Sequence, residues 1–277
     1  MFLSISSLNS GSNGNCYYIG NEHEAILIDA GLSCRETEKR MAGLRLSMKK
    51  IKAIFISHEH TDHIKGLNNI VEKYQIPVFI STLTANKTTL TFDQKLVREL
   101  KAENDITIGN IKITGFSKFH DAVDPMSFII CSGNTTVGVF TDIGKPCEQV
   151  RSSFSRCNAA FLESNYDDML LESGNYPTFL KNRIRGGMGH LSNNQALEVF
   201  NSHRPPFMSH LILSHLSKEN NCPIKVKKLF SENANGTEII VASRYEPSPI
   251  YLIKPNGMDR PHSIKIPLKF SQLSFFE

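Results

Sequence analysis

SHEHTDHIKG, residues 57–66, follows directly on the apolar run Ile51–Ile56. Three histidines and one aspartate fall within six positions of this stretch: His58, His60, Asp62 and His63. His58 and His60 are two residues apart, so they share one side of the chain if the strand continues into them. Asp62 and His63 follow where the chain turns into a helix. One short loop therefore presents polar side chains on two sides.

These side chains are of the types that bind metals. Imidazole and carboxylate groups suit zinc and similar first-row divalent ions, and two imidazoles on one side can both reach an ion at about 2.0 to 2.2 Å. The alternative is a polar loop whose histidines are only solvated or hydrogen-bonded. Three of the ten histidines of the chain lie within these six positions beside an aspartate, and this clustering favours the metal site.

Length, composition and net charge restrict the possible folds and functions only weakly. The 277 residues could form one large domain or two small ones, and 40% hydrophobic residues supply an ample core. The net charge of +4 would favour a polyanion only if it were concentrated on one surface. The six cysteines are scattered without a CxxC pair, which indicates reduced thiols rather than a zinc ribbon or a disulfide scaffold.

No apolar run approaches the roughly 18 residues that cross a bilayer. The N-terminus also lacks the basic region that precedes the apolar stretch of a signal peptide. We therefore expect a cytoplasmic protein with no membrane partner.

Apolar patterning and turn residues predict the order of elements in the first third of the chain. Ser33 and Glu36 form a capping box at the start of a helix, and Pro77 stops a second helix. The predicted elements are strands over 2–7, 16–19 and 25–29, a helix over 35–42, the strand before residue 57, and a helix over 64–74. Between the first two strands, SLNSGSNGN is either a tight hairpin turn or a glycine-rich loop whose N–H groups approach a phosphate.

The rest of the chain is predicted to alternate strands with fewer helices. Gly109 and Asn110 mark a hairpin turn, and Ser192 is placed as the N-cap of a helix. The predicted strands cover 77–80, 106–108, 111–116, 127–130, 136–140, 159–162, 211–213, 238–242 and 250–253. The predicted helices cover 83–100, 195–202 and 223–230.

The motif HxHxDH after a hydrophobic strand, with the aspartate of ILIDAG (residues 26–31), resembles the metallo-β-lactamase superfamily of binuclear metal hydrolases. SGSNGN, FHDAVDP, TDIG, ESNYDDML, GHLSN and LSHLS further resemble its YycJ (WalJ) branch, compact bacterial nucleases related to ribonuclease Z and ribonuclease J. The matches extend from Ser10 to about Asn221. The resemblance implies an α/β fold, a four-layer αββα sandwich. We expect residues 1–277 to form a single catalytic domain with a C-terminal tail from about residue 254.

The resemblance also implies a ligand set for two metals. The implied ligands are His58, His60 and His120 for the first ion, Asp62, His63 and His215 for the second, and Asp142 as the bridge between them. Asp142 ends an apolar strand, where a buried carboxylate needs a cation or hydrogen-bond donors to offset desolvation. Asp29 is expected to orient the histidine loop through hydrogen bonds without being a ligand itself.

Three further residues are candidates at the edge of the site. Glu163 ends a strand and is either an acceptor near the metals or merely a strand terminus. His190 and Ser192 precede a helix, whose N-terminus favours an anion, so we assign them to substrate phosphate contact or to protonation of the leaving group. Either His190 or a metal-bound water would supply that proton. The alternative is that they only cap the helix. Tyr166 stands where the family often has histidine, and it offers only a phenol.

The combined prediction is a binuclear metal-dependent hydrolase, a phosphodiesterase or exonuclease acting on nucleic acid, with DNA favoured over RNA. Two divalent ions would generate a bridging hydroxide that attacks phosphorus in line, with Asp62 and His190 as the catalytic residues. Zinc is the favoured metal, although these ligands also accept manganese, iron or nickel.

Two alternatives stay open at this stage. The first is a thioester, lactone or small-phosphodiester hydrolase of the same fold, for which an apolar pocket would flank the metals. The second is a metal-binding regulatory protein without turnover, against which the seven intact ligand candidates weigh. His60, where oxidoreductase relatives carry glutamate, argues against redox chemistry.

Overall fold

Two seven-stranded mixed sheets pack face to face, as the computed structural model shows for residues 1–255, the part of the chain that it describes. The predicted tail from about residue 254 therefore lies almost wholly outside the described residues. The strands are β1 (Leu3–Asn9), β2 (Cys16–Gly20), β3 (Ala25–Ile28), β4 (Ile51–Phe55), β5 (Val78–Ile80), β6 (Val97–Glu99), β7 (Asp105–Ile108), β8 (Ile111–Ser117), β9 (Met126–Ser132), β10 (Thr135–Phe140), β11 (Ala159–Glu163), β12 (His210–Ser214), β13 (Glu238–Val241) and β14 (Tyr251–Ile253).

The order in the first sheet is β14-β1-β2-β3-β4-β5-β6, and in the second sheet it is β13-β12-β11-β10-β9-β8-β7. Successive residues of a strand point to opposite faces, so each apolar strand serves two packing layers. Tyr17 and Ile19 face the core between the sheets, whereas Tyr18 faces the outer layer. The Tyr17 and Phe161 rings, with centroids 4.9 Å apart, join the two sheets across the central core.

Helices cover both outer faces. They are α1 (Cys34–Gly43), α2 (Thr61–Ile64), α3 (Leu67–Tyr74), α4 (Thr82–Asn86), α5 (Glu148–Phe154), α6 (Asp168–Ser173), α7 (Thr178–Arg185), α8 (Asn193–His203) and α9 (Pro223–Ser231). Apolar side chains of α1 and α3 pack on the first sheet, and those of α5, α8 and α9 pack on the second. The four-layer αββα sandwich is thereby confirmed. None of the helices within residues 1–255 has the length and apolar character that a bilayer crossing requires.

Each sheet contains a group of parallel strands beside antiparallel ones. β3 pairs in parallel with β4, and β10, β11 and β12 form a parallel group in the second sheet. The carboxyl ends of parallel strands meet at one edge of a sheet, where ligands bind in open α/β sheets. Asp29, His58, Asp142, Glu163 and His215 all lie at or just beyond these carboxyl ends.

The predicted helix over Leu83–Leu100 is wrong. The structure has the short helix α4, a 3-10 turn at Gln94–Leu96 and the strand β6 in its place. β6 pairs in parallel with β5, so backbone pairing at the sheet edge decides the conformation there. The threonine-rich segment between α4 and the turn has low intrinsic helix preference, which also opposes a long helix.

The helix predicted over Ile64–Tyr74 is divided into α2 and α3 at Gly66. Gly66 N–H donates to Ala30 O at 2.8 Å, and a Cβ on Gly66 would lie 1.7 Å from Leu32 O. Only glycine allows this approach between the two backbones. The helices α5, α6 and α7 have no counterpart among the elements predicted from the sequence.

Candidate metal centre

The first cluster consists of His58, His60 and His120, from the loops after β4 and β8. His58 Nε2 lies 3.1 Å from His60 Nδ1, which lies 3.3 Å from His120 Nε2. Ligands at about 2.0 to 2.1 Å from a tetrahedral ion are about 3.3 Å apart, so these separations suit one zinc-like ion. The three nitrogens form one of the residue groups that could hold a metal.

The second cluster consists of Asp62, His63 and His215, from α2 and the end of β12. Asp62 Oδ2 lies 3.5 Å from His63 Nε2 and 3.4 Å from His215 Nε2. This mixed carboxylate and imidazole set also forms a group that could hold a metal. Loops of both sheets thus meet at one edge of the sandwich.

Asp142 lies between the two clusters. Its Oδ2 is 3.3 Å from His63 Nε2, and its Oδ1 is 3.4 Å from His215 Nε2 and 4.0 Å from His120 Nε2. Oδ2 is buried, and no hydrogen bond within residues 1–255 reaches it. An uncompensated buried carboxylate oxygen is costly, and a cation would offset that cost. The residues present therefore fit a divalent metal site.

The histidine rings are oriented by hydrogen bonds on their outer nitrogens. The Nδ1 atoms of His58, His63 and His120 lie 2.9 Å from Ser57 Oγ, 2.7 Å from Asp29 Oδ2 and 3.0 Å from Gly189 O, respectively. His215 Nδ1 lies 3.2 Å from Glu163 Oε1. A proton held at Nδ1 leaves the Nε2 lone pair free for a cation. All four Nε2 atoms belong to the clusters described above.

Asp29 is fully buried and supports the histidine loop. Besides His63, its carboxylate accepts hydrogen bonds from Ser57 N and Ser57 Oγ, both at 2.8 Å. It belongs to none of the metal-binding groups within the described chain. Its position is thus beside the clusters and not in them.

Three residues of the site have left-handed backbones. Asp29, Asp142 and His215 have φ values of 63°, 54° and 55°, and each directly follows or nearly follows a parallel strand. A non-glycine residue in this region costs about 1 to 3 kcal/mol unless its surroundings impose it. Asp29 N–H donates to Phe55 O at 2.8 Å, and His215 N–H donates to Ser10 Oγ at 2.7 Å. These bonds hold the backbone at Asp29 and at His215.

Burial keeps some ionisable groups of the site neutral, whereas neighbouring opposite charges keep others ionised. Burial lowers the pKa of His58 well below its usual range and that of His120 to about 4, so both imidazoles are neutral at pH 7. Burial opposes a charge on His215, but Asp142 and then Asp62 outweigh it and raise its pKa to about 10. Burial likewise opposes ionisation of Asp142, yet His215 and His63 hold its pKa well below the usual range.

Glu163 and His190 form a pair beside the clusters. Glu163 Oε1 accepts from His190 Nδ1 at 2.7 Å, and Oε2 accepts from Ile143 N at 2.6 Å and Leu191 N at 3.1 Å. Burial opposes ionisation of Glu163, but His190 outweighs it and lowers the pKa to about 2. The His190 side chain is 19% exposed. His190, Glu163, Asp142 and His215 also lie close enough together to hold a metal.

Ser192 is buried and occupies the N-cap of α8. Its Oγ accepts from Gln195 N at 3.2 Å, while its own N–H donates to Gln195 Oε1 at 2.9 Å. The predicted N-cap is confirmed, and the two bonds together form a complete capping box. The structure therefore engages the Ser192 hydroxyl in the cap, whereas the exposed part of His190 lies at the edge of the site.

Sequence reasoning missed Asn15 and Lys118. Asn15 Nδ2 lies 3.0 Å from Asp62 Oδ2 and 3.1 Å from His63 Nε2. Lys118 is buried, and its Nζ donates to Thr141 O at 2.6 Å, next to Asp142. Asn15 lies in the SGSNGN motif, which was interpreted as a hairpin turn or a phosphate-binding loop and not as part of the metal centre. A lysine two residues before a candidate ligand gives no signal of burial.

The chain is similar to known proteins over most of its length. Residues 24–216 match the family described as the Beta-lactamase superfamily domain. It is 34% identical over 227 residues to Exodeoxyribonuclease YycJ of Bacillus anthracis, covering 80% of this chain and 85% of that protein. It is 31% identical over 221 residues to Exodeoxyribonuclease WalJ of Streptococcus pneumoniae serotype 2, covering 78% of this chain and 82% of that protein.

The fold has a matching solved structure. The metallo-β-lactamase fold protein YhfI from Bacillus subtilis superposes with a TM-score of 0.68 at 15% identity, covering 91% of this chain and 99% of that one. At that identity the likeness concerns the fold alone. The sequence matches, together with His and Asp clusters at the carboxyl edge of this sandwich, lead to one conclusion: the chain belongs to the β-lactamase superfamily of metal-dependent hydrolases, within its YycJ/WalJ branch.

Proposed function

We propose that this protein is a binuclear metal-dependent exonuclease that acts on DNA in preference to RNA. The observation that carries the proposal is the position of Asp142 between two three-residue clusters, with contacts to His63, His215 and His120. One carboxylate that faces both clusters suits a shared ligand of two ions. The named activity of the YycJ and WalJ relatives supports DNA as the substrate.

The ligand assignment follows the clusters. His58, His60 and His120 would hold one ion, Asp62, His63 and His215 the other, and Asp142 both. When bound, two divalent ions lower the pKa of a water and stabilise charge on a transferring phosphoryl group. The nitrogen-rich first cluster favours zinc, while the carboxylates of the second also accept manganese or iron, and nickel suits the imidazoles.

The proton for the departing oxygen is assigned to His190. Its Nδ1 is held by Glu163, so the ring orientation is fixed and Nε2 remains available on the partly exposed side. The hydrogen bond to Glu163 engages Nδ1, so Nε2 is the atom that would pass a proton to the departing oxygen. With Ser192 engaged in its cap, the contact to substrate phosphate rests on His190 and on the backbone at the start of α8.

We also infer that one catalytic domain carries the activity. The first sheet contributes the loop with His58 to His63, and the second contributes His120, Asp142, Glu163 and His215. The core between the sheets combines side chains of both, including Phe55, Phe128 and Phe161. Neither sheet has a complete ligand set without the other.

The decisive experiment is digestion of an end-labelled DNA duplex, and of the same sequence as RNA, by protein loaded with zinc or manganese. We expect metal-dependent release of nucleotides from DNA, faster than from RNA. Asp62→Ala should abolish it, whereas Asp105→Ala should not, because Asp105 is an exposed carboxylate on β7 that pairs with Lys112. Intact DNA after incubation with protein that holds two ions would refute the nuclease assignment and favour a thioester, lactone or small-phosphodiester substrate.

The role of His190 needs two readouts. Removal of a general acid typically costs about 10²- to 10⁴-fold in rate. We expect His190→Ala to lose activity to this extent and to keep both metals. Unchanged cleavage would exclude the proton-donor role, and loss of metal would instead make His190 a ligand together with Asp142, Glu163 and His215.

A further inference from the structure

A cavity of about 310 Å³ adjoins the candidate metal centre and is not used by the chemistry above. Its lining includes residues of the turn after β12 and of the chain after β13, among them Leu216, Lys218, Arg244 and Tyr245. We propose that this cavity binds a nucleotide of a single strand next to the cleaved linkage, with the base against the Tyr245 ring and the phosphate between Arg244 and Lys218. The proposal rests on the proposed nuclease function and specifies the form of its substrate.

Two lining residues of the cavity are next to a candidate metal ligand. Leu216 follows the candidate ligand His215, and Ser10, another lining residue, accepts a hydrogen bond from His215 N at 2.7 Å. A group bound there would lie beside the second cluster. The volume is at the lower end of the roughly 300 to 1,000 Å³ of small-molecule sites, which suits one nucleotide and not a duplex.

Arg244 is a fixed cation without an acidic partner. Its Nη2 donates to Leu216 O at 2.8 Å, its own carbonyl accepts from Asn13 Nδ2 at 2.9 Å, and a Cβ on Gly11 would lie 2.9 Å from Nη2. No carboxylate among residues 1–255 forms an ion pair with it. A guanidinium that is already oriented and not neutralised matches a phosphate. The loop SGSNGN thus holds Arg244 on one side and Asp62 on the other.

Tyr245 presents an aromatic ring on a fixed backbone. Tyr245 is 73% exposed, so its ring is accessible to a ligand from solvent. Its carbonyl accepts from Arg40 Nη2 at 2.9 Å, and its N–H donates to Ser243 Oγ at 3.0 Å. Stacking on an exposed ring tolerates every base, and a neighbouring cation adds backbone attraction, as in proteins that bind single strands without sequence preference.

Lys218 supplies the second positive charge. It is exposed, and its only ion pair within the described chain is with the adjacent Glu219 at 3.4 Å, which is also exposed. Such a surface pair is weak and leaves the ammonium group available to a phosphate. Charge complementarity therefore favours an anionic strand over a thioester or lactone at this position.

The test measures binding of a fluorescent single-stranded 8-mer with hydrolysis-resistant phosphorothioate linkages to zinc-loaded protein. Loss of one stacked base costs about 5- to 150-fold in affinity. We expect Tyr245→Ala to lose this much, Tyr245→Phe to lose little, and neither to change the dependence on salt. Lys218→Gln should instead reduce the slope of log affinity against log salt by about 0.7, the value for one phosphate of a single strand.

An oligonucleotide that lacks one base tests whether Tyr245→Ala weakens binding through lost stacking or through a general loss of protein structure. Replacement of the base at one of the last four positions should weaken binding to the wild type as much as Tyr245→Ala does, and should not weaken binding to Tyr245→Ala further. Equal affinity of the wild type and Tyr245→Ala, or additive losses, would overturn the nucleotide site. The nuclease proposal is tested separately by the cleavage assay. If the wild type cleaves DNA but Tyr245→Ala does not change binding, only the nucleotide site is refuted. If the wild type binds the strand but does not cleave DNA, only the nuclease proposal is refuted.

Discussion

His63 Nδ1 lies 2.7 Å from Asp29 Oδ2, and both side chains are fully buried. The bond assigns the proton of His63 to the nitrogen that faces away from the metal centre. Burial opposes a charge on His63, but Asp142 and Asp29 outweigh it and hold its pKa well above the usual range. In the absence of metal this ring therefore carries a proton on Nε2 as well as on Nδ1. A cation bound at Nε2 would displace the proton there.

Asp29→Asn is expected to weaken metal binding without removing a ligand. The amide keeps the shape of the carboxylate but does not stabilise the Nδ1–H tautomer, and partners of this kind are worth about 10- to 100-fold in metal affinity. Competition with a zinc chelator measures the change. The matched control is Asp105→Asn, which should bind metal as the wild type does, and equal affinity of both variants would argue against an orienting role for Asp29.

Removal of metal is expected to destabilise the fold. Chelation leaves Asp142 Oδ2 buried without a hydrogen bond, and it leaves the protonated His63 and His215 as two like charges in one buried site. Zinc at about 100 times its dissociation constant should add about 2.7 kcal/mol to the free energy of unfolding. Thermal unfolding in chelator and after addition of zinc measures this gain. Calcium is the control, because imidazole-rich sites disfavour it, and a transition that zinc does not raise would exclude a metal site in the folded protein.

The motif around His58 could be interpreted from the sequence because its ligands are close together in the chain. His120, Asp142 and His215 came from family resemblance, since their meeting depends on the pairing of two sheets. Asn15 contacts the same centre but was missed, because its amide carries no chemical signal of its own. Lys118 was missed for a similar reason, as its burial follows from packing that no local pattern encodes.

Secondary structure was likewise predictable where local interactions determine it, and not where contacts between distant segments do. The helix α8 was predictable from Ser192 and Gln195, whose capping box is a local interaction. The segment 83–100 was not, because the strand β6 exists only through its pairing with β5. Gly66 likewise interrupts a helical pattern because the backbone of Leu32, which is distant in sequence, approaches it closely.

Gly66→Ala should disrupt the fold. The new Cβ would lie 1.7 Å from Leu32 O, a backbone atom that cannot move without shifting the loop after Asp29. We expect a loss of more than about 3 kcal/mol in the free energy of unfolding, or no soluble protein. Gly43→Ala is the control, because nothing lies within 4 Å of its Cβ position at the end of α1. That change should leave stability equal or raise it by up to about 1 kcal/mol, and similar behaviour of the two variants would contradict the close approach.

His210 should make the stability of the protein depend on pH at a place remote from the metals. It lies at the opposite end of β12 from His215, with its ring 5.4 Å from that of Tyr251 and its Nε2 3.5 Å from Glu238 Oε2. Burial lowers the pKa of His210 below its usual value of 6.5, and Glu238 only partly offsets this.

The folded state thus binds the His210 proton less readily than the unfolded chain does. Its contribution to the free energy of unfolding is complete above pH 6.5 and is lost as the pH falls below that value. Urea unfolding at pH 8 and pH 5.5 should therefore show a larger loss for the wild type than for His210→Gln. His23→Gln, at an exposed histidine, serves as the control and should behave like the wild type. If His210→Gln loses as much stability as the wild type over this interval, His210 is not the group responsible.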